Sequence, residues 1–464
     1  DMIGNQVKVT DPSGRVTTAQ YNALGQNTKV TGVAKNSSDN IVKTFTYDLA
    51  GNQTSVTDGN GFTTNYTYDN LNRLKQITQT VGSETYTTKY DYDLEEGGYI
   101  KNKVTDANGN ADESWFDVAG RLVKEYSSGT KSMSTSYAYN ANNAVTQVTR
   151  NDGSKEKNTY NALGQLTRVD YYEANADTSK ASGYYITYAY DETGNVKTET
   201  VGKDGEEYIN DYAYDVMDRL LQATQGKGTE GALQIDYTYD KADNLLSLSY
   251  PKEDNQSGVA GAGIGMQTLR YAYDNAGRIT SVSLGNKVVR EYTYSGADVK
   301  NIKDYRDIAS SSSTAYILRN YTYNSLGAVT KATYTDFPNS SGSGTKKEEY
   351  TLTYDKVGNI LTEKTYTNYE EEKTVNKTYE YDKIGRLTRV ENDGKVTTYT
   401  YDKVGNRKTQ TSEGKTLNYS YNNLDQLLNI KQGDKTISTF EYDNRGNQIK
   451  ETTLELTLSL GEPG

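Results

Sequence analysis

A few short clusters in this sequence have residue types that could do chemistry. Gly261-Ala262-Gly263-Ile264-Gly265 has the glycine density of a loop that cradles a phosphate, but it lacks the last spacing of a dinucleotide fingerprint and the flanking strand and helix. Asp58-Gly59-Asn60-Gly61 and Asp106-Ala107-Asn108-Gly109-Asn110 offer oxygen ligands as a calcium loop does, yet neither ends in the bidentate Glu that closes one. Glu95/Glu96 and Glu370/Glu371/Glu372 could pair as glycosidase carboxylates, but nothing in the sequence fixes their separation. A flexible insertion, plain turns and solvated charge are the favoured readings. Cys and His are both absent (0 of each), so disulfides, zinc clusters, thiol nucleophiles and His-based triads are excluded. We therefore expect no catalytic residue, no metal, no cofactor and no enzymatic activity. The net charge of −11 argues against a nucleic-acid partner, and no apolar run reaches the about 18 residues of a membrane span.

These clusters are interspersed with copies of one six-residue turn. Its pure form is Tyr401-Asp402-Lys403-Val404-Gly405-Asn406. It recurs at Tyr47-Asp48-Leu49-Ala50-Gly51-Asn52, Tyr190-Asp191-Glu192-Thr193-Gly194-Asn195 and Tyr354-Asp355-Lys356-Val357-Gly358-Asn359. Tyr68-Asp69, Tyr273-Asp274 with Gly277, Tyr381-Asp382 with Gly385 and Tyr442-Asp443 with Gly446 belong to the same series. There are 18 starts, at 21, 47, 68, 92, 116, 139, 160, 190, 214, 239, 273, 294, 323, 354, 381, 401, 421 and 442, spaced 20 to 34 residues apart. The copy at Tyr92 is degenerate, and Phe116 replaces Tyr. A fixed short period means a repeat architecture.

Comparing copies shows what each position needs. Position two is Asp or Asn (Asp48 and Asp382, but Asn22, Asn140, Asn161, Asn324 and Asn422). The shared property is a short polar arm that hydrogen-bonds nearby backbone, as in an Asx turn, so neither charge nor proton transfer is required. Position five is Gly, or else Asn72, Asn143, Asp218, Asp243 or Asp425. These are the residues that best tolerate positive φ, which predicts a left-handed residue there. Position six is usually Asn, Arg or Gln.

The segments between turns read as hairpins. A return strand ends in Tyr-x-Tyr, as at Tyr66/Tyr68, Tyr212/Tyr214 and Tyr399/Tyr401, so both rings share one sheet face. The Tyr count of 44 supports strands despite a mean hydropathy of −0.86. We read the rings as a stacked aromatic ladder, with a sugar-stacking surface as the alternative. Outgoing strands break the two-residue period. Their apolar pairs sit three apart at Leu74/Ile77, Leu166/Val169, Ile279/Val282 and Leu387/Val390, which a β-bulge would reconcile. A second turn follows each outgoing strand, as in Val56-Thr57-Asp58. Insertions at 34–40, 173–183, 256–266, 308–315 and 337–347 all fall at this second turn. One edge of the sheet is thus constant and the other variable. The constant edge could pack against another layer.

Residues 1–453 are expected to form one β-hairpin array, and 454–464 a closing strand, a linker or vector-derived residues. Asp1-Met2-Ile3-Gly4-Asn5 is the same turn without its Tyr, so the chain is expected to be a fragment that starts inside a repeat. Roughly 36 strands at ~4.8 Å make a strip about 170 Å wide. Rolled once it would be hollow and about 55 Å across, because about eight strands already fill a barrel. A ribbon or solenoid is the alternative.

Tyr-Asp-x-x-Gly-[Asn/Arg/Gln] turns joined by Val-Thr-Asp-x-x-Gly segments make this sequence resemble the YD-repeat or Rhs family, over essentially residues 1–453. That family includes bacterial Rhs and Tc-toxin shell proteins, wall-associated toxins and teneurins. The resemblance implies an all-β fold, a long curved antiparallel sheet wound into a spiral, partly hollow shell. It implies a secreted or cell-surface bacterial protein whose shell encloses or presents a toxin or effector domain. Its partners would be neighbouring repeats and other domains of the same longer protein. The alternative implied is an adhesion module that binds carbohydrate through exposed Tyr and the variable loops. The family's core-closing segment with its aspartyl self-cleavage residues has no counterpart here. Neither a toxin domain nor a plug is recognisable, so only the shell-forming role carries over.

Overall fold

The structure is a computed structural model. It describes residues 1–464 except 35, 129–131, 175–181, 230–231, 252–265, 307–314, 340–341, 444 and 454–464. The glycine-rich loop at 261–265, most of the 256–266 and 308–315 insertions and the terminal 454–464 segment lie outside the described residues.

The chain is all-β. Thirty-seven strands, from Lys8–Thr10 to Gln448–Thr453, form one sheet. The sole helix among the described residues is a 3-10 turn at Ser37–Asp39. Each strand pairs antiparallel with the next in sequence, as Thr63–Tyr68 does with Leu74–Val81 and Lys395–Tyr401 with Arg407–Ser412. This is the simplest way to satisfy backbone groups, because strands that are adjacent in sequence can pair antiparallel without a crossover.

The expected bulge is present and regular. In the hairpin at Tyr68, Tyr66 pairs with Ile77 and Thr67 with Gln76, but Tyr68 pairs with Leu74, which leaves Lys75 extra. The same slip occurs beside Tyr160, Tyr273 and Tyr381, so Leu166, Ile279 and Leu387 face the tyrosines as Val169, Ile279's neighbour Val282 and Val390 face the residues two before. One inserted residue therefore restores a common face for aromatic and aliphatic side chains spaced two apart on one strand and three apart on the other. Repeated at the Tyr-Asp hairpins other than the one at Tyr92, it also bends the sheet.

The bent sheet winds upon itself. The turn at residues 11–15 lies against the turn at 295–298, the one at 58–61 against 355–358, and the one at 106–110 against 402–406. In each case the partner hairpin is twenty-three strands further on. At ~4.8 Å per strand a winding has a perimeter of about 110 Å, far beyond the eight strands that side chains can fill. The strip is thus narrower in girth than a single roll of all strands, and it makes a spiral of more than one winding. The wall is one sheet thick. Among the described residues the buried set is small: Tyr86, Val169, Ala111, Ala223 and Ala332 with Ser154, Ser438, Gly202 and Gly226. The tyrosines and aliphatic residues of the inner rows are half-buried instead, so stability must come from many small, repeated contacts.

Candidate functional site: the turn ladder and the seam

The Tyr-Asp turns line one edge of the sheet, and three hydrogen-bond ladders run along them. The first lies within each turn. Asp402 Oδ1 accepts the backbone N–H of Val404, Gly405 and Asn406 at 3.1, 2.9 and 2.8 Å, while Oδ2 accepts Asn406 Nδ2 at 3.0 Å. Asp48, Asp69, Asp191, Asp274, Asp355, Asp382 and Asp443 make the equivalent bonds. Hydrogen bonds that favour the ionised form hold the carboxyls of Asp48, Asp69, Asp274 and Asp443 down. For Asp117, Asp215 and Asp274 the Arg121, Arg219 and Arg278 side chains are the leading cause. Position five is left-handed in the regular turns, with φ of 93° at Gly51, 97° at Gly194, 74° at Gly277, 97° at Gly358, 84° at Gly385, 107° at Gly405 and 88° at Gly446; in the copies at Tyr92 and Tyr294 positive φ falls instead at Asp93 and Gly296. Asn72, Asn143, Asp218, Asp243 and Asp425 share that conformation, with φ from 57° to 65°.

Position two and position six are a matched pair. In eleven turns Asp stands at two and a donor at six, either Asn or Arg, with Oδ2 accepting at 2.6 to 3.4 Å. Where Asn stands at two, Gln stands at six and the bond runs the other way. Asn22, Asn161 and Asn422 donate Nδ2 to Gln26, Gln165 and Gln426 at 2.6, 2.7 and 2.7 Å. At Asn140 and Asn324 position six is Ala144 or Ala328, with no side-chain partner to satisfy. Reading the two positions separately hides this rule, although both columns are plain in the sequence.

The second ladder joins successive turns. Residue six reaches the residue five of the next repeat: Asn52 Nδ2 to Asn72 Oδ1 at 2.9 Å, Arg121 to Asn143 at 3.2 Å, Asn195 to Asp218 at 2.8 Å, Arg219 to Asp243 at 2.8 Å and Asn406 to Asp425 at 2.7 Å. These five position-five residues are thus acceptors as well as left-handed. At Gly51 and Gly446 the glycine carbonyl serves instead, accepting from Gln26 at 3.4 Å and Gln426 at 3.2 Å, while Arg386 reaches the Asp402 carbonyl at 2.7 Å. Each Arg at position six also covers the next ring: Arg73 over Tyr92, Arg121 over Tyr139, Arg219 over Tyr239, Arg278 over Tyr294 and Arg386 over Tyr401, at 4.2 to 5.0 Å.

The third ladder is made by the tyrosine hydroxyls. Tyr47, Tyr68, Tyr190, Tyr273, Tyr354, Tyr401 and Tyr442 donate to the carbonyls of Asn27, Gln53, Leu166, Leu245, Val329, Leu387 and Leu427 at 2.6 to 3.0 Å. The acceptor is each time the first residue of the preceding outgoing strand. Tyr381 lies opposite Leu387. The rings do not stack on one another as the aromatic ladder expected. Their partners across the strands are aliphatic (Leu74, Val196, Ile279 and Ile360) or polar (Gln53, Arg407 and Gln448), and the close ring pairs, such as Tyr316 with Phe337 at 4.6 Å, lie elsewhere. A ladder of O–H···O=C bonds and covered rings replaces ring-on-ring stacking. The degenerate copy at Tyr92 keeps its hydroxyl bond, to Leu74 at 2.8 Å, while its strand runs on to Glu96.

The seam is where the two windings meet. Arg15 Nη1 pairs with Asp298 at 2.7 Å, Asn60 Nδ2 bonds Asp355 at 3.0 Å, and Asn108 Nδ2 bonds Asp402 at 3.1 Å. Arg386 donates to the Tyr86 hydroxyl at 3.2 Å, Asn423 to the Ser128 carbonyl at 2.8 Å, and Arg445 to Asp152 at 2.6 Å. Burial pushes the Asp152 carboxyl up, but Ser154 and Arg445 outweigh it and hold it at about 2. The turns at Asp58 and Asp106, which the sequence offered as calcium-like loops, are Asx turns of the repeat type that dock on the other winding. Asp58 Oδ1 accepts the N–H of Asn60 and Phe62 at 2.9 Å each. Gly59 is required by this approach, since a Cβ there would sit 2.4 Å from the Lys356 carbonyl oxygen. The acidic clusters are surface charge: Glu96 pairs with Lys101 at 2.6 Å and Glu372 accepts the Tyr366 hydroxyl at 2.9 Å. No group of metal-ligating side chains occurs among the described residues, and none of their helices is long and apolar enough to cross a membrane.

A bent, single-layer spiral of hairpins held by a turn ladder defines a class, the hairpin-repeat shell. Residues 339–457 match the Teneurin YD-shell family model, and residues 47–84 match the RHS repeat model. In these stretches the chain is similar to YD-repeat proteins of the Rhs type. The probable deoxyribonuclease RhsA of Dickeya dadantii is 26% identical over 205 residues, which are 39% of this chain and 14% of that protein. The tRNA nuclease WapA of Bacillus subtilis is 27% identical over 254 residues, 53% of this chain and 10% of that protein. The chain therefore spans a tenth to a seventh of the curated relatives it matches. Among solved structures, the Tc holotoxin pore of Photorhabdus luminescens shares the fold, with a TM-score of 0.62 at 12% identity over 94% of this chain and 25% of that chain.

Proposed function

We propose that this chain is a non-enzymatic wall segment of a large secreted or surface bacterial YD-repeat protein, and that it encloses or presents a toxin or effector domain carried elsewhere in that protein. The observation that carries this reading is the winding itself. A sheet one layer thick closes against its own edge after twenty-three strands, with a perimeter of about 110 Å and no means of filling the space from its own side chains. The nuclease activities named for RhsA and WapA belong to those proteins, whose matched part is a small share of their length. The glycan-binding alternative is the weaker reading, because the turn tyrosines already donate their hydroxyls to backbone carbonyls and carry arginines over several rings.

The test is small-angle X-ray scattering of the chain, read as a pair-distance distribution. A compact particle with a deficit of short distances is expected. A rod-like distribution would remove the enclosing role. A nuclease assay on the same sample is expected to show no turnover.

A further inference from the structure

Four seam turns on the edge opposite the Tyr-Asp turns share a rule of their own. In each, the residue just before the left-handed glycine reaches the other winding. Ser13 accepts the N–H of Ala297 at 2.9 Å, Asn60 donates to Asp355, Asn108 donates to Asp402, and Asp152 accepts from Arg445. The glycines that follow, Gly14, Gly61, Gly109 and Gly153, have φ of 81° to 92°.

Two of these pairs, Asn60-Gly61 and Asn108-Gly109, are the two Asn-Gly dipeptides of the whole 464-residue sequence. In Asn-Gly the next backbone nitrogen attacks the side-chain amide most readily, because glycine has no Cβ to hinder the approach. At Asn60 the Gly61 nitrogen, its proton passing to solvent base, bonds to Cγ. The Cγ–Nδ2 bond breaks, and Nδ2 takes a proton from solvent and leaves as ammonia. Water then opens the cyclic imide at either carbonyl, giving an aspartate or an isoaspartate whose backbone is longer by one carbon. The reaction consumes water and needs no oxidant, cofactor or enzyme.

The closed seam opposes it. Asn60 is gripped at both ends: Nδ2 donates to Asp355 Oδ2 at 3.0 Å, and Oδ1 accepts the Lys356 N–H at 3.1 Å. Asn108 Nδ2 is held by Asp402 Oδ2 at 3.1 Å. The attacking nitrogens are committed too, since Gly61 and Gly109 donate their N–H to the carbonyls of Asp58 and Asp106 at 3.0 and 3.1 Å. Both asparagines are exposed, so these bonds shield them and burial does not. Parting the windings removes the grip on the side chains. The product cannot restore it, because a carboxylate offers no donor and meets Asp355 or Asp402 as a like charge.

We propose that Asn60 and Asn108 are latent modification sites, at which spontaneous deamidation turns an opened seam into one that cannot close. The joint is reversible at short times and one-way at long ones. This rests on the seam alone and not on what the wall encloses.

Peptide mass spectrometry of the full chain, incubated in mildly alkaline buffer, tests this, with free peptides of residues 56–64 and 104–112 as the unprotected reference. The wild type is expected to lose these amides at least about ten-fold more slowly than the peptides, since a hydrogen bond to a charged group must break first. Asp355→Ala is expected to speed Asn60 more than Asn108, and Asp402→Ala the reverse. A wild type that deamidates as fast as the peptides overturns the proposal whether or not either variant folds. So does a folded variant that speeds neither asparagine or ranks them the other way. The lasting effect is read on the double variant Asn60→Asp with Asn108→Asp by hydrogen exchange. Residues 355–406 are expected to exchange faster while 196–284 do not change, and an unchanged seam would overturn the one-way step.

Discussion

Two parts of this sheet use the same turn and differ in what lies beyond it. Residues 11–152 and 294–447 face each other across the seam, so their turns answer to a second winding as well as to their neighbours. Strands Val196–Lys203 through Ile279–Leu284 carry the same Tyr, Asp and left-handed residue, yet among the described residues their hydrogen bonds run only to neighbours in the sheet. The comparison separates what the repeat needs for itself from what it needs to dock. Ladder residues serve the first purpose in both parts. Gly59, Asn60, Asn108 and Arg445 serve the second, and no described residue of the middle segment has their role.

The largest expected effect breaks the docked part alone. Gly59→Val would drive a side chain into the Lys356 backbone, at a cost on the order of 3 kcal/mol by overpacking. Hydrogen exchange should then rise across 355–447 and stay unchanged in 196–284. Equal change in both segments would mean that the windings are not independent of the middle.

Next in size is the matched pair. Asp402→Asn places two amide donors against each other at Asn406 and weakens the bond from Asn108 across the seam. A loss of about 2 kcal/mol is expected, as for hydrogen bonds to charged groups. Adding Asn406→Gln should recover about half, by rebuilding the Asn–Gln form of the turn. In the middle segment Asp240→Asn, beside Asn244, should cost less, and Asn244→Gln should recover nearly all of it, because no seam bond is lost. Chemical denaturation of the two double-mutant cycles measures both couplings.

A smaller effect should be the same in both parts. Tyr239→Phe and Tyr401→Phe each remove one hydroxyl bond, to Leu220 and Leu387, and each should cost about 1 kcal/mol. A much larger value at Tyr401 would extend the seam's influence to the hydroxyl ladder.

Acid should act on both parts with a known sign. The carboxyls of Asp69, Asp117, Asp215, Asp240 and Asp443 are lowered in the fold. Their contribution is fully present above the unfolded value of about 3.9 and is lost as pH falls through the folded values. The melting temperature should therefore hold from pH 7 to about 5 and fall below about 4. Asp152, held at about 2, should release the last docked turn only at the acid end of that window. Melts that are flat to pH 2.5 would contradict this.

Much of the fold was legible because repeats allow positions to be compared within one chain. Left-handed geometry at Asn72 and Asp425 followed from which residues replace Gly, and the bulge followed from Leu74 and Ile77 standing three apart. The Asp–donor and Asn–Gln pairing was also written in the sequence, but it appears only when two columns are read together. The seam was not legible. Arg15 and Asp298 are 283 residues apart, and the match between them depends on the curvature accumulated over many bulges, which no local pattern encodes. Ring stacking was misjudged for a related reason: composition shows how many tyrosines there are, while the cross-strand register decides what they touch.

The odd number of strands per winding has a consequence for girth. In a meander the two edges alternate, so hairpin ends on one edge stand at odd steps from hairpin ends on the other. A winding of twenty-three therefore sets crest against crest, Asn60 on Asp355 and Asn108 on Asp402. A winding of twenty-two or twenty-four would set each crest into a notch. Adding or deleting one whole hairpin preserves this parity and changes the perimeter by about 10 Å. The bore of such a tube is quantised, and its diameter can be adjusted by gene segments of one repeat, in steps of about 3 Å, without redesigning the joint.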